Sequence, residues 1–360
     1  MRPRQNGLWR IEQRELGQSP VHSPLTFSFE WQLFAASMAA ETTTTQDETS
    51  ASDAQQICDL CGEASYRIFS KRGRHGAPIS TVICNGCGLV YTNPRMTDEE
   101  NAKWYQSGYW GDYKKQQAPD EAFFQRRLPK IREIFGQVKP FLKPGVTVLE
   151  IGSGVGALLS LIAEEAGADA TIVGVEPHSG HAKFARESKG LDVRNGLLDD
   201  IAPNLEKGSF DLVVMNHVLE HTTSPTDTLL TIKSLLKSGG TFVVEVPNVE
   251  APGSRISHFF HAAHHYAFSP ATFERLARKT GFAVIEIAAL DGDLRGTRLN
   301  AILEKPADDK SDSTGAGADD LPKDDPAVRA EALRGYSRWY WLTAASFRKK
   351  ITHWKRQRAV

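Results

Sequence analysis

From Val146 onward, short apolar runs alternate with longer stretches at helical spacing. Val146-Thr-Val-Leu-Glu-Ile151 is apolar and β-branched, breaks at glycines 152, 154 and 156, and resumes as Ala157-Leu-Leu-Ser-Leu-Ile-Ala163. That pattern predicts strand, tight turn and helix. Further strands are predicted at 173–176, 191–195, 210–216, 241–247, 282–287 and 299–304. Between the fourth and fifth, Ser224-Pro225 starts a helix with the stripe Leu229, Ile232, Leu235 and Leu236, and Gly239-Gly240 is read as its end. About ten residues separate the last two strands, too few for a helical crossover, so they should pair antiparallel. The pattern predicts an α/β fold: a doubly wound, mostly parallel seven-stranded sheet with a reversed last strand.

Upstream, Thr97 with Glu100 forms a capping box and Asp120 caps a second helix bent at Pro129. Between them, Trp104, Tyr105, Tyr109, Trp110 and Tyr113 suggest a lid over a ligand or a packing surface. Residues 1–57 have little periodicity and are expected to be disordered. Met38 is a plausible start, making 1–37 an upstream extension, with organelle targeting as the alternative. At the other end, 306–325 reads as a flexible acidic linker. A helix is expected after Asp325-Pro326, with Val328, Ala332, Tyr336, Trp339, Phe347 and Ile351 along one face and a basic opposite face. That helix could meet an anionic membrane, nucleic acid or another protein surface, or pack on this chain.

Composition adds boundaries rather than function. The 360 residues carry a formal net charge of −1, which demands neither nucleic acid nor membrane as a partner. No apolar run approaches the roughly 20 residues that span a bilayer, so a cytoplasmic protein is expected.

The 4 cysteines fall as Cys58-Asp-Leu-Cys61-Gly and Cys84-Asn-Gly-Cys87-Gly. Two such pairs, with ribbon strands expected at 66–69 and 79–83, fit a tetrahedral zinc site. Four thiolates leave no open position for water, so the zinc is expected to be structural. The organisation is therefore a zinc ribbon at 58–95, a helical and aromatic linker at 96–139, the sheet domain at 140–305, and the carboxyl-terminal linker and helix.

The glycine turn brings a ligand close to bare backbone, and Glu176 ends the next strand where a ribose would place its hydroxyls. Gly152-Ser-Gly-Val-Gly-Ala157 satisfies the dinucleotide pattern, so a nicotinamide cofactor is one reading. Glu150 just before the turn, and the reversed terminal hairpin, suit a nucleoside with an amino-acid end and no phosphate.

With these residues in place, the chain resembles the class I S-adenosylmethionine-dependent methyltransferases. The resemblance rests on Val148-Leu-Glu-Ile-Gly-Ser-Gly-Val-Gly156, Val173-Gly-Val-Glu-Pro177, Gly208-Ser-Phe-Asp-Leu-Val-Val214, Val218-Leu-Glu-His221, Leu235-Leu-Lys-Ser-Gly-Gly240 and Gly281-Phe282. The amino-terminal knuckles look like those of sugar C-methyltransferases and related glycan and secondary-metabolite enzymes. The resemblance implies that Gly152, Ser153, Gly154 and Gly156 contact the methionine and ribose of the donor, with Glu150 at the ammonium and Glu176 at the ribose. It places Leu197 or Asp199 at the adenine and Asn216 beneath the transferring methyl. His221 is the first candidate for a general base and His264 the second.

Where the sugar enzymes have a Glu-His pair, this chain has Ala263-His264, and the third domain of those enzymes is lacking. His261, His264 and His265 also raise a metal site, but no carboxylate accompanies them at ligand spacing. The expected activity is methyl transfer to a small molecule or glycan precursor. RNA- or protein-directed methylation and a non-catalytic nucleoside-binding module are the alternatives.

Overall fold

The structure, a computed structural model, describes residues 56–105, 119–252, 254, 256–290, 297–307 and 324–339. The expectations for residues 1–55, for Tyr109, Trp110 and Tyr113, for most of the acidic linker and for 340–360 lie outside these residues.

The cysteine-bearing segment forms β1 (Tyr66–Arg72), β2 (Pro78–Cys84) and β3 (Val90–Thr92), paired antiparallel in that order. Helix α1 (Asp98–Lys103) starts at the Thr97–Glu100 capping box, and α2 (Glu121–Val138) at Asp120, whose carboxylate accepts the Phe123 N–H at 2.6 Å.

The main sheet uses β4 (Thr147–Ile151), β5 (Thr171–Glu176), β6 (Asp192–Asn195), β7 (Phe210–Asn216) and β8 (Leu236–Pro247), all parallel to one another. Helices α3 (Ala157–Ala166), α4 (Ser179–Lys189), α5 (Leu198–Ile201) and α6 (Pro225–Leu235) follow successive strands. After β8 come α7 (Ile256–Phe259), β9 (Tyr266–Ala267), α8 (Pro270–Lys279), β10 (Ala283–Leu290) and β11 (Arg298–Glu304). The order across the sheet is β10-β11-β8-β7-β4-β5-β6, and β11 runs antiparallel to both its neighbours, as the short connection requires.

Central strands of a sheet covered on both faces must be apolar on both. Val148, Leu212, Val214 and Val243 pack against α2 and α3, while Leu149, Val213, Phe242 and Val244 pack against α6 and α8. The site therefore sits at the carboxyl edge of a rigid, fully buried platform.

Two local expectations are corrected. Gly239 and Gly240 do not end a helix: α6 stops at Leu235 and the pair lies within β8, where Gly239 donates to the Lys305 carbonyl and Gly240 accepts from its N–H. In addition, the ribbon joins the rest of the fold, because β3 pairs with β9 through Tyr91 and Tyr266. It is also tied to α6 by Asp59, which accepts the Ser224 hydroxyl at 2.8 Å and the Thr226 N–H at 3.0 Å. Lastly, the helix after Asp325, α9 (Pro326–Trp339), buries Arg329, Ala330 and Leu333, whereas Val328 is 63% exposed. Its inner face joins Ile83, Val90, Val249, Phe259 and Phe260 in a small separate core. No helix among the described residues is long and apolar enough to cross a membrane.

Candidate active site

A cavity of about 940 Å³ opens at the carboxyl ends of β4, β5 and β7. Its floor is the glycine turn. Gly152 and Ser153 both donate to the Val175 carbonyl, which fastens the turn to β5. Gly154 donates to Glu176 Oε2 at 2.8 Å, and His178 donates to Glu176 Oε1 at 2.9 Å.

The glycines serve different purposes. All adopt left-handed backbone, but a Cβ on Gly154 would meet no protein atom within 4 Å, whereas one on Gly152 would lie 2.3 Å from Val218 Cγ2. Gly156 similarly backs onto Leu191 and Ala185. Gly154 leaves its backbone open on the cavity side, whereas the absence of a Cβ at Gly152 and Gly156 is also required by packing.

Two buried carboxylates flank this turn. Burial raises Glu176 to about 7 against the two N–H bonds that oppose the shift. Burial, and then the Glu176 charge, push Glu150 up further. Glu150 Oε2 is buried and has no hydrogen-bond partner among the described residues. Such a group fits a cationic ligand, since a buried unpaired carboxylate is costly unless a counter-charge arrives.

Ser153, Leu197, Asp199 and Asn216 all line the cavity. The Leu197 N–H is directed to Asp200 Oδ2 at 3.3 Å, and burial raises the Asp199 carboxyl. Asn216 closes β7, and its Oδ1 has no partner among the described residues. Phe123 and His181 stack at 5.7 Å on the same wall; burial, then His178, push His181 down to about 3, so its ring is neutral.

At the opposite end, the turn Leu219–His221 meets the segment before β9. The His265 N–H donates to the Glu220 carbonyl at 2.8 Å, and His221 Nδ1 contacts the Ala263 carbonyl at 2.5 Å. His221 and His264 stand with ring centroids 4.8 Å apart, and Tyr105 meets the His221 ring edge-on at 5.9 Å. Of the expected aromatic lid, Tyr105 thus lines the cavity.

The expectation that no carboxylate accompanies the histidines is corrected. Glu220, 1% exposed, lies beside His221 and His264. Sequence spacing measured only from His264 misses it, although it stands in the same Leu-Glu-His triplet. His217, also unassigned in the sequence, bridges Glu220 Oε1 at 3.3 Å and Glu245 Oε1 at 3.1 Å, and Arg298 reaches Glu245 from β11 at 3.1 Å.

Away from the cavity, Cys58, Cys61, Cys84 and Cys87 converge, with sulfurs all within 4.8 Å. The Cys58–Cys87 and Cys61–Cys84 separations are 3.7 and 3.5 Å. These are not disulfides, and they approach the ~3.8 Å edge of a tetrahedron with ~2.3 Å Zn–S bonds. The Gly86 N–H points at Cys84 Sγ at 3.3 Å, as the knuckle glycine allows.

Residues 121–287 match the methyltransferase domain family. That match spans somewhat under half of the chain and marks this stretch as a methyltransferase domain. Its mostly parallel seven-stranded sheet with β11 reversed is the one expected from the sequence. A ubiquinone biosynthesis O-methyltransferase from Xanthomonas campestris is 36% identical over 110 residues, 29% of this chain and 44% of that protein. The chain spans less than half the length of that relative. A mitochondrial ubiquinone biosynthesis O-methyltransferase from Schizosaccharomyces pombe is 29% identical over 53% of this chain and 71% of its own length. Among solved structures, an S-adenosylmethionine-dependent methyltransferase from Archaeoglobus fulgidus is 21% identical, with TM-score 0.44, over 52% of this chain and 100% of its own.

Proposed function

We propose that the protein transfers a methyl group from S-adenosylmethionine to a small-molecule acceptor. The observation that carries this reading is the Gly154 turn bonded to Glu176, with the buried Glu150 carboxylate beside it, whose Oε2 has no hydrogen-bond partner among the described residues. The donor, when bound, supplies a methyl already activated on a sulfonium. Glu150 would hold its ammonium, Glu176 its ribose hydroxyls, and Asn216 would face the transferring end. The bare Gly154 backbone would let the nucleoside lie against the turn.

The acceptor would enter at the His221–His264 end, where either imidazole is placed to take a proton from an acceptor that carries one. A cavity of about 940 Å³ suits a cofactor with a small second ligand, and two of the similar proteins are ubiquinone biosynthesis O-methyltransferases. In-line alignment of the two ligands supplies most of what the protein must contribute. The four cysteines would hold a structural zinc that fastens the ribbon, which in turn braces α6.

Titration calorimetry with S-adenosylhomocysteine tests the donor assignment: micromolar or tighter binding is expected, and binding of NAD instead would overturn it. Turnover of methyl-labelled donor against phenolic and glycan-precursor acceptors tests the transfer. Label appearing only in RNA or protein would replace the small-molecule reading.

A further inference from the structure

We propose that Glu220, His221 and His264 form a second metal site, separate from the four cysteines, which takes a zinc-class divalent cation at the acceptor end of the cavity. One ligand atom from each of the three lies within 4.8 Å of the others. Ligands about a bound zinc stand roughly 3.4 Å apart, so closing on a cation needs only a small inward movement of side chains.

Three features point to a cation rather than to a chance meeting. First, Glu220 is 1% exposed and its Oε2 is buried with no hydrogen-bond partner among the described residues, while its Oε1 faces His217 Nδ1 at 3.3 Å. His217 thus orients the carboxylate, and its second oxygen keeps unused acceptor capacity among the described residues. Second, His221 Nδ1 lies against the Ala263 carbonyl, which requires its proton there, so in the neutral ring Nε2 carries the lone pair. That nitrogen stands 3.7 Å from Glu220 Oε1. A carboxylate oxygen and an imidazole lone pair facing each other favour a cation between them, which a proton or a metal ion can supply. Third, the His265 N–H to Glu220 carbonyl bond ties the two ligand-bearing segments together, and the His264 N–H to His261 carbonyl bond shapes the turn that carries His264.

The arrangement has the outer contacts usual for metal ligands, a carbonyl behind the histidine and an imidazole behind the carboxylate. Two imidazoles and one carboxylate suit zinc, cobalt or iron better than calcium or magnesium. With three protein ligands, coordination positions remain on the side of the cavity, in contrast to the closed four-sulfur cluster. Binding of the cation does not depend on the methyl-transfer reading, but its use does. It would bind an acceptor oxygen and lower its pKa, and His221 and His264 would then serve as ligands in place of bases.

The test is metal content and spectroscopy of the full-length protein loaded with cobalt. Expected are two cobalt ions per chain, one giving intense near-ultraviolet sulfur charge-transfer bands and one giving only weak visible bands. Glu220→Gln and His264→Gln should each remove the weak bands and one equivalent of cobalt, while the sulfur bands remain as proof of folding. One equivalent in the unmodified protein, or two equivalents unchanged in both variants, would overturn the proposal. S-adenosylhomocysteine binding measured on the same samples keeps the two readings apart: its loss with the cobalt count intact would count against methyl transfer and leave the metal site standing.

Discussion

Glu176 Oε2 accepts the backbone N–H of Gly154 at 2.8 Å. The carboxylate that would bind the ribose therefore also shapes the turn beneath it, so binding and local architecture share one side chain. Removing it should cost both. Charge-assisted hydrogen bonds contribute about 1.5–3 kcal/mol each. Glu176→Ala is expected to weaken S-adenosylhomocysteine binding tenfold or more by calorimetry, and amide exchange at Gly154 should accelerate. Unchanged affinity would remove Glu176 from the cofactor site.

Neighbouring glycines give a sharper contrast. Placing an L-residue at positive φ costs roughly 1–2 kcal/mol, and both Gly152 and Gly154 are left-handed. At Gly152 the new methyl also collides with Val218, whereas at Gly154 it enters open cavity. Gly152→Ala should therefore lower the melting temperature more than Gly154→Ala does. Gly154→Ala should lose cofactor affinity out of proportion to its stability. Equal effects on both properties would contradict the assignment of one glycine to packing and the other to ligand approach.

Burial holds Glu176 at about 7, above its usual 4.5. Between those values the folded state binds more protons than the unfolded state, so apo stability should fall as pH rises through that window, by up to roughly 3 kcal/mol. Glu150, raised by burial and by the Glu176 charge, contributes with the same sign. Cofactor binding favours the ionised carboxylates and should run the other way, strengthening by up to about tenfold per pH unit until pH 7. Unfolding in denaturant at pH 5 and 7.5, with calorimetry at the same values, checks both signs. Glu176→Gln should flatten the part of each profile below 7.

Chelation should reach beyond the ribbon. Asp59 lies between Cys58 and Cys61 and accepts the Ser224 hydroxyl and the Thr226 N–H, so the knuckle geometry supports the first turn of α6. Stripping metal with a strong chelator is expected to make four thiols reactive and to lower the melting temperature of the whole described unit in one transition. Asp59→Ala should destabilise by about 1 kcal/mol through the lost contacts at the helix start, with metal retained. Two separate transitions after chelation would show that ribbon and sheet domain are uncoupled.

How much of this was legible in the sequence depends on the range of the interaction involved. Thr97, Asp120 and Ser224 were readable because a cap is decided within four residues. Glu150 and Glu176 were readable because strand ends and a glycine turn locate them. Gly239 misled because glycine after an apolar stripe commonly ends a helix. Here its partner is Lys305, 66 positions away, and no local pattern announces it. The same holds for Tyr91 against Tyr266 and for His217 between Glu220 and Glu245. Those contacts exist only once the sheet has brought separate segments to one edge.

The last helix shows the same limit and can be tested directly. Its sequence stripe runs through Val328, Ala332 and Tyr336, yet the buried face carries Arg329, Ala330 and Leu333. Arg329 decides the rotation: it pairs with Glu250 at 2.9 Å and with Asp324, and Asp324 in turn accepts the Ser269 hydroxyl that caps α8. A buried guanidinium with two carboxylates fixes the helix more specifically than a weak apolar stripe can, and Leu333 then drops into the pocket formed by Phe259, Phe260 and Val249. Truncating a fully buried leucine costs about 2–5 kcal/mol, and an exposed side chain about 0.5 or less. In urea unfolding, Leu333→Ala should lose several times more stability than Val328→Ala. The reverse order would mean that α9 presents its other face to the protein.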